Sequence, residues 1–349
     1  SLPAVAAWND FEAATPQERQ TQLLRAILQH RAARKLLSPS ESINSLTIGA
    51  RHIDHVAPNG QGVMAIDPYA STFLPNPSSA LGLGFHRSIK PELLFPGGAE
   101  HIHSRTTAAP IAAHPVSRAG RFFGVGTASP GFRGELDRKV NMSGTSVATA
   151  LATHGALRIL AALDELPPGP PHREVDPAFH AVILKALLIH SAQWDDATAD
   201  ALRTLVNEGG KLHWEHEREE IARFLGFGCP DIARMVDCTE NRATLIGWNT
   251  IHAKEVDSYR VPLPAELEGI AGFRAVSATI AWLTPVTLAH RMYRMVKFSA
   301  GPGGDKNLSL GVANAKDQPS HNAVGRGTIY HQCKFARNSD PLRGGFRVQ

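Results

Sequence analysis

The chain has few cysteines and no recognisable cysteine pattern. Its 349 residues include three, Cys229, Cys238 and Cys333. An odd number of widely spaced cysteines gives no disulfide framework, and this usage favours a reducing compartment. The first residues also lack the basic, apolar and small-residue regions that make up a signal peptide.

The sequence likewise has no long apolar run and no block of one charge. A membrane-spanning helix needs about 20 predominantly apolar residues, and we predict no membrane span because no uninterrupted run approaches that length. The net charge of +4 comes from basic residues scattered among 32 acidic ones. Aromatic residues do not alternate with them as on a nucleic-acid-binding face, so we predict no nucleic-acid partner.

The most informative segment is residues 142–149, Met-Ser-Gly-Thr-Ser-Val-Ala-Thr, where a small tight turn leads directly into an apolar stretch. The residues from Val147 to Leu163 are mostly Ala, Leu, Val and Ile, which predicts a buried central helix. Ser146 then lies in the first turn, where free N–H groups and the helix dipole stabilise a developing oxyanion. Ser146 is therefore a candidate nucleophile for acyl transfer.

A simpler interpretation of the same residues is a helix cap. Thr or Ser before a helix commonly accepts a hydrogen bond from an N–H group of the first turn. The tripeptide of Gly144, Thr145 and Ser146 fits that role as well as it fits a nucleophile.

The spacing of apolar residues changes from helical to strand-like near residue 238. Before it, helical periodicity begins with a capping box at Thr15 and Glu18 and recurs after Asp176. After it, short runs of alternating apolar residues at 243–248, 259–263 and 276–282 predict strands. With room for two domains in 349 residues, we predict one domain over 1–238 and a second, truncated at its end, over 239–349. The second is expected to be a β-sandwich, jelly-roll-like.

Four segments resemble motifs of the subtilases, the subtilisin-like serine peptidases. Residues 144–148, Gly-Thr-Ser-Val-Ala, are similar to the serine motif that opens a buried helix. Residues 90–97, Lys-Pro-Glu-Leu-Leu-Phe-Pro-Gly, resemble a Lys-Pro-Asp-hydrophobic-hydrophobic-Ala-Pro-Gly segment, and residues 45–50 resemble the preceding Thr-Val-Gly-Ala strand. Residues 226–233, Gly-Phe-Gly-Cys-Pro-Asp-Ile-Ala, resemble the stretch that closes the domain. All four occur in the family's order, over roughly residues 43–236.

The resemblance implies an α/β fold, the C-terminal part of a subtilisin-like parallel-sheet domain. It implies a serine endopeptidase that hydrolyses polypeptide substrates through an acyl-enzyme on Ser146. Thr145 would then support the oxyanion hole, and Gly144 would form the turn. Glu92 and Phe95 depart from the family's pattern.

Three family motifs are missing from the sequence. No Asp-Ser-Gly or Asp-Thr-Gly follows an apolar strand, no His-Gly-Thr-His occurs, and no Ala-Gly-Asn precedes the first matching strand. His154 cannot replace the base, because eight residues separate it from Ser146, about 12 Å along a helix at about 1.5 Å per residue. We expect the triad Asp and His and the oxyanion Asn to lie upstream of residue 1, and the fragment alone to be inactive. The alternative is a non-catalytic subtilase-like binding module.

Two histidine-rich segments are candidate metal sites. His101, His103 and His114 lack a full ligand set, and residues 213–220 lack the His-Glu-x-x-His spacing. We predict no metal and no cofactor, with calcium suggested only by the family resemblance. Localisation stays open, because the family tends to be exported whereas the cysteine usage favours the cytoplasm.

Overall fold

The computed structural model describes residues 8–54, 65–105, 112–115, 119–120, 123–167, 174–237, 242, 244–261, 272–287, 289, 293–296, 298, 313–314, 318–339 and 346–348. These residues divide into two compact units. Unit 1 comprises residues 1–154 and 193–229, and unit 2 comprises residues 155–192 and 230–349. The predicted boundary at 238/239 stays a prediction.

The first half of the chain alternates helices with short strands. Its elements, in chain order, are α1 (Trp8–Ala13), α2 (Pro16–Gln29), β1 (Ile48–Arg51), β2 (Ala65–Ile66), β3 (Leu93–Pro96), β4 (Ile102–Arg105), β5 (Ala112–Pro115), β6 (Ala119–Gly120), β7 (Val125–Ala128), β8 (Lys139–Met142) and α3 (Thr145–Asp164).

The second half continues with helices and ends in strands. Its elements are α4 (His180–Ser191), β9 (Ala192–Gln193), α5 (Asp196–Val206), α6 (Trp214–Leu225), β10 (Cys229–Pro230), α7 (Ile232–Val236), β11 (Tyr259–Val261), β12 (Gly272–Ala281), β13 (Ala313–Asn314), β14 (Ile329–Ser339) and β15 (Phe346–Val348).

The parallel strands predicted from the sequence are present in unit 1. β1 pairs with β3 in parallel register, Ile48 opposite Leu93 and Ala50 opposite Phe95. β3 is apolar throughout and β1 is apolar up to Arg51 at its end, as expected of parallel strands that helices cover. Two antiparallel sheets accompany this pair, in the orders β2-β4-β5 and β6-β8-β7.

The core of unit 1 joins the helices to this strand pair. The capping box is confirmed, since the Thr15 side chain accepts from the Glu18 N–H and the Glu18 carboxylate accepts from the Thr15 N–H. Behind it, apolar side chains of α2, β3, α5 and α6 form one buried cluster, which includes Leu23, Leu24, Ile27, Leu94, Ala199, Leu202, Leu205, Ile221, Phe224 and Leu225. Helical and strand periodicities therefore place their apolar faces in one core.

Unit 2 contains an antiparallel sheet. β12 pairs with β14 from Ala281 opposite Ile329 to Gly272 opposite Ser339, and β13 lies on the other side of β14. The predicted strands at 259–263 and 276–282 are confirmed in β11 and β12. Residues 244–248 form no strand, so that prediction is wrong for the part of the run that is described. The antiparallel strands do not confirm a β-sandwich.

Cys229 and Cys333 are free thiols. Burial raises the pKa of the Cys229 thiol, against the opposing effect of Arg51. Cys238 lies outside the described residues.

A buried ion pair connects the segment before β3 to the segment before β1. Lys90 and Glu92 form the pair and are 1% and 3% exposed at their side chains. The Lys90 Nζ also donates to the Ser45 carbonyl at 2.8 Å, and the Thr47 N–H donates to Glu92 Oε2 at 2.8 Å. Glu92 is thus a longer substitute for the family's aspartate that still has hydrogen-bond partners.

Replacement of Lys90 tests how much stability is lost when the buried Glu92 carboxylate has no cation beside it. Lys90→Met leaves Glu92 buried without its cation, which should lower the free energy of unfolding by about 3–5 kcal/mol. Urea unfolding of the variant measures the loss. Arg31→Met, at the exposed end of the pair between Arg31 and Glu220, should change stability far less. The double variant of Lys90→Met and Glu92→Gln should recover part of the loss, and equal effects at Lys90 and Arg31 would contradict this account.

A half-buried chain of polar side chains connects α4 to the sheet of unit 2. The Thr279 hydroxyl lies 2.9 Å from His190 Nδ1 and 2.8 Å from His331 Nδ1. Burial, together with the charge of nearby His190, lowers the pKa of His331 to about 3. Burial also lowers the pKa of His190, aided by the charge of Arg234.

The stability of unit 2 should therefore fall in mild acid. Below about pH 6.5 the unfolded chain protonates His331, whereas the folded chain does not until about pH 3. The free energy of unfolding should drop by about 1.4 kcal/mol per pH unit across that window. Urea unfolding between pH 7 and 4 measures the slope, which His331→Gln should make shallower and which the exposed-histidine control His154→Gln should leave unchanged. Equal slopes for His331→Gln and the unaltered chain would contradict the prediction.

Candidate nucleophile site

The four segments that resemble subtilase motifs meet at β3. β1 pairs with β3 along one edge. On the other side, the Leu94 N–H donates to the Gly228 carbonyl at 2.9 Å and the Phe227 N–H donates to the Glu92 carbonyl at 2.7 Å. Just past β3, the Gly97 carbonyl accepts from the Gly144 N–H at 2.7 Å. The strand therefore fixes the turn that precedes Ser146.

Glycines allow the backbones to approach this closely. Gly144 has a φ of +121°, in the region that favours glycine, and this value turns the chain from β8 into α3. Gly98 has a φ of +73°, and a methyl group there would lie 2.8 Å from the Met142 carbonyl oxygen. Side chains at either position would strain or separate the two segments.

Ser146 is the second residue of α3 and is exposed, as is Thr145 at the first position. The Gly144 carbonyl accepts the first helical hydrogen bond, from the Ala148 N–H at 3.3 Å. Free N–H groups at the start of the helix, with the positive end of its dipole, suit a developing oxyanion. In the described part of the chain, neither hydroxyl accepts an N–H group of this turn, which does not support the capping interpretation.

Only one face of α3 is buried. Val147, Ala148, Ala152 and Ile159 are buried, whereas Leu157 is 57% exposed. The other exposed positions of the helix are Thr149, Ala150, Thr153, His154, Arg158, Ala161 and Asp164. The prediction of a buried central helix is therefore wrong for the exposed face of α3, because an apolar composition permits burial without requiring it.

The length and composition of α3 also match those of a membrane-spanning helix, with a mean hydropathy of 1.4. This likeness is weak, since the core helix of a globular domain has the same composition. The buried face of α3 packs within the protein, and no clear membrane span is seen in the described residues.

A polar network that the sequence did not predict lies beyond the ends of β1 and β3. His52 Nδ1 is 3.0 Å from Asn76 Oδ1, and His52 Nε2 is 3.0 Å from Asp67 Oδ1. Burial acts to raise the pKa of Asp67, but the hydrogen bond and charge of His52 prevail and lower it. The only sequence signal for this network was a histidine directly after the strand motif.

Two of the histidines weighed as metal ligands face each other across β4 and β5, and the third lies just before β4. His103 is opposite His114 in the pairing of β4 with β5, and the His101 ring stacks on Phe123 at 3.7 Å between centroids. Burial lowers the pKa of His101, against the opposing charge of Asp67. Among described residues, no group of three or more His, Cys, Asp or Glu could hold a metal ion. Residues 214–220 form the start of α6.

No general base contacts the nucleophile in the described residues. The Ser146 hydroxyl has no hydrogen bond there, and His154 is exposed on the same helix two turns on. Ser146 is thus exposed at the start of a helix, and no group that could activate its hydroxyl contacts it among the residues described.

Comparison with known proteins agrees with the four motifs. A family model described as the subtilase family matches residues 6–228, which extends the resemblance to include α1 and α2. Neither a search of curated proteins nor a search of solved structures finds a match. The family match spans well over half of the chain and contains three of the four motifs in full, together with residues 226–228 of the fourth. The chain therefore belongs to the subtilase family, a family of serine peptidases.

Proposed function

We propose that this chain carries the nucleophile half of a serine endopeptidase, with Ser146 as the nucleophile. The observation that carries the proposal is the position of Ser146, exposed in the first turn of α3 behind a turn anchored to the end of β3. The family match includes this residue. The substrate is a polypeptide, in keeping with the chemistry of the family.

The proposed reaction follows from that position. The Ser146 Oγ attacks the scissile carbonyl carbon while its proton passes to a base, and the carbonyl oxygen becomes an oxyanion. The Ser146 N–H donates to the oxyanion, Thr145 supports the hole, and the helix dipole favours the charge. The base then protonates the leaving amine, and water hydrolyses the acyl-enzyme on Ser146.

The triad Asp and His and the oxyanion Asn are proposed to come from sequence upstream of this chain. Two features support this proposal. The Ser146 hydroxyl is free of hydrogen bonds within the described residues, and the face of α3 beside it exposes small side chains, such as Thr149, Ala150 and Thr153. Small side chains permit the close approach that a base needs, about 2.6–3.2 Å from the hydroxyl.

A fluorophosphonate probe tests the proposal, because it reacts only with an activated serine. The complete gene product should label and cleave casein, and Ser146→Ala should abolish both. The 349-residue chain alone should do neither, since loss of triad members commonly costs several orders of magnitude in rate. His154→Ala, a change on the exposed face two turns away, should leave labelling of the complete product unchanged.

Each other outcome identifies a different error. Labelling of the 349-residue chain at Ser146 would show a base within it. Labelling of the complete product after Ser146→Ala would place the nucleophile elsewhere. A complete product that folds but neither labels nor cleaves would favour the non-catalytic subtilase-like binding module.

A further inference from the structure

Asp54 lies three residues after the end of β1, and its carboxylate connects two segments that are far apart in sequence. Asp54 Oδ1 accepts from the Ala99 N–H and from the Gly124 N–H, each at 2.7 Å. These donors lie 45 and 70 residues from Asp54. One oxygen atom therefore holds the loop after β3 against the start of β7.

Both of the connected segments touch the turn before Ser146. A methyl group on Gly98 would lie 2.8 Å from the Gly124 Cα and 3.2 Å from the Ser143 Cα. A methyl group on Gly124 would lie 2.5 Å from the Met142 carbonyl oxygen. The loop, the start of β7 and the end of β8 thus form one tight stack of backbone, with Asp54 at its edge.

A second hydrogen bond fixes the same loop from the opposite side. Asn76 Nδ2 donates to the Gly98 carbonyl at 2.8 Å, and the Asn76 N–H donates to the Ala50 carbonyl of β1 at 2.8 Å. Asn76 is 2% exposed. Asn76 therefore anchors the loop to β1. Asp54 anchors the same loop to the start of β7, through its hydrogen bonds with the Ala99 and Gly124 N–H groups.

We propose that Asp54 is a positioning residue for the nucleophile, holding the stack of Gly98, Gly124 and Ser143 that sets the direction of the turn into α3. Asp54 does not contact the reacting atoms. It acts through the Gly97 carbonyl, which accepts from the Gly144 N–H two residues before Ser146. This inference rests on the proposed role of Ser146.

The test compares variants of Asp54 in the complete gene product by their rate of fluorophosphonate labelling. Asp54→Ala removes both hydrogen bonds and should slow labelling by about 100-fold, the effect expected of a displacement near 1 Å at a nucleophile. Asp54→Asn keeps an oxygen at the same position and should restore labelling to within about threefold, since neutral hydrogen bonds are only about half as strong. Amide hydrogen exchange should accelerate at Ala99, Gly124 and Gly144 in Asp54→Ala.

Asp195 provides the matched control. It too is a carboxylate that accepts a backbone N–H, from Thr198 at the start of α5, away from the turn. Asp195→Ala should lower stability while labelling stays within about twofold of the unaltered protein. If Asp54→Ala does not fold, Asp54→Glu serves instead, because one added methylene moves the carboxylate while keeping its charge, and it should slow labelling about tenfold.

The outcomes separate the two proposals. Labelling of the complete product that disappears in Ser146→Ala yet persists at full rate in folded Asp54→Ala would overturn the positioning role alone. A slowing in Asp195→Ala as large as that in Asp54→Ala would also overturn it, since the effect would then be one of general stability. Labelling that persists after Ser146→Ala would instead overturn the proposed function.

Discussion

The approach of two backbone segments at the end of β3 is the constraint on which the rest of the site depends. The Gly144 N–H donates to the Gly97 carbonyl at 2.7 Å, where a methyl group on Gly97 would lie 2.4 Å from the Ala50 Cβ and 3.3 Å from the Gly144 carbonyl oxygen, while Gly144 supplies the positive φ of the turn. The turn, the start of α3 and the exposure of Ser146 all follow from that hydrogen bond. The side chains of Asp54 and Asn76 in turn hold the loop that carries the Gly97 carbonyl, so the position of Ser146 depends on side chains that do not contact it.

This dependence on backbone explains how much the sequence alone could predict. The motifs at residues 45–50, 90–97, 144–148 and 226–233 are rich in Gly and Pro, and those residues record where chains approach closely or turn sharply. The parallel pairing of β1 with β3 and the helix after Ser146 were therefore predictable. Glu92 stands where the subtilase motif has an aspartate. The structure shows how the longer side chain is accommodated, since Glu92 pairs with Lys90 and accepts a hydrogen bond from the Thr47 N–H.

The network beyond the strands could not be predicted for a physical reason. His52, Asp54 and Asn76 contact groups 15 to 70 residues away, and no periodicity or spacing records such contacts. The same holds for Thr279, which links His190 to His331 across 141 residues in unit 2. The contacts of these residues were not predicted, whereas the burial of α3 was predicted too broadly. The apolar composition of α3 predicted a buried helix, although one face is exposed.

The site therefore separates the position of a nucleophile from its activation. The position of Ser146 is fixed within unit 1 by hydrogen bonds of 2.7–2.8 Å. Asp54 accepts from Ala99, Asn76 donates to Gly98, and Gly144 donates to Gly97. Activation needs an imidazole within hydrogen-bond reach of Ser146, and an exposed helix face of small residues leaves room for one. The contacts that position Ser146 therefore do not include the group that would activate it in the proposed reaction, and the Ser146 hydroxyl has no hydrogen bond among the described residues.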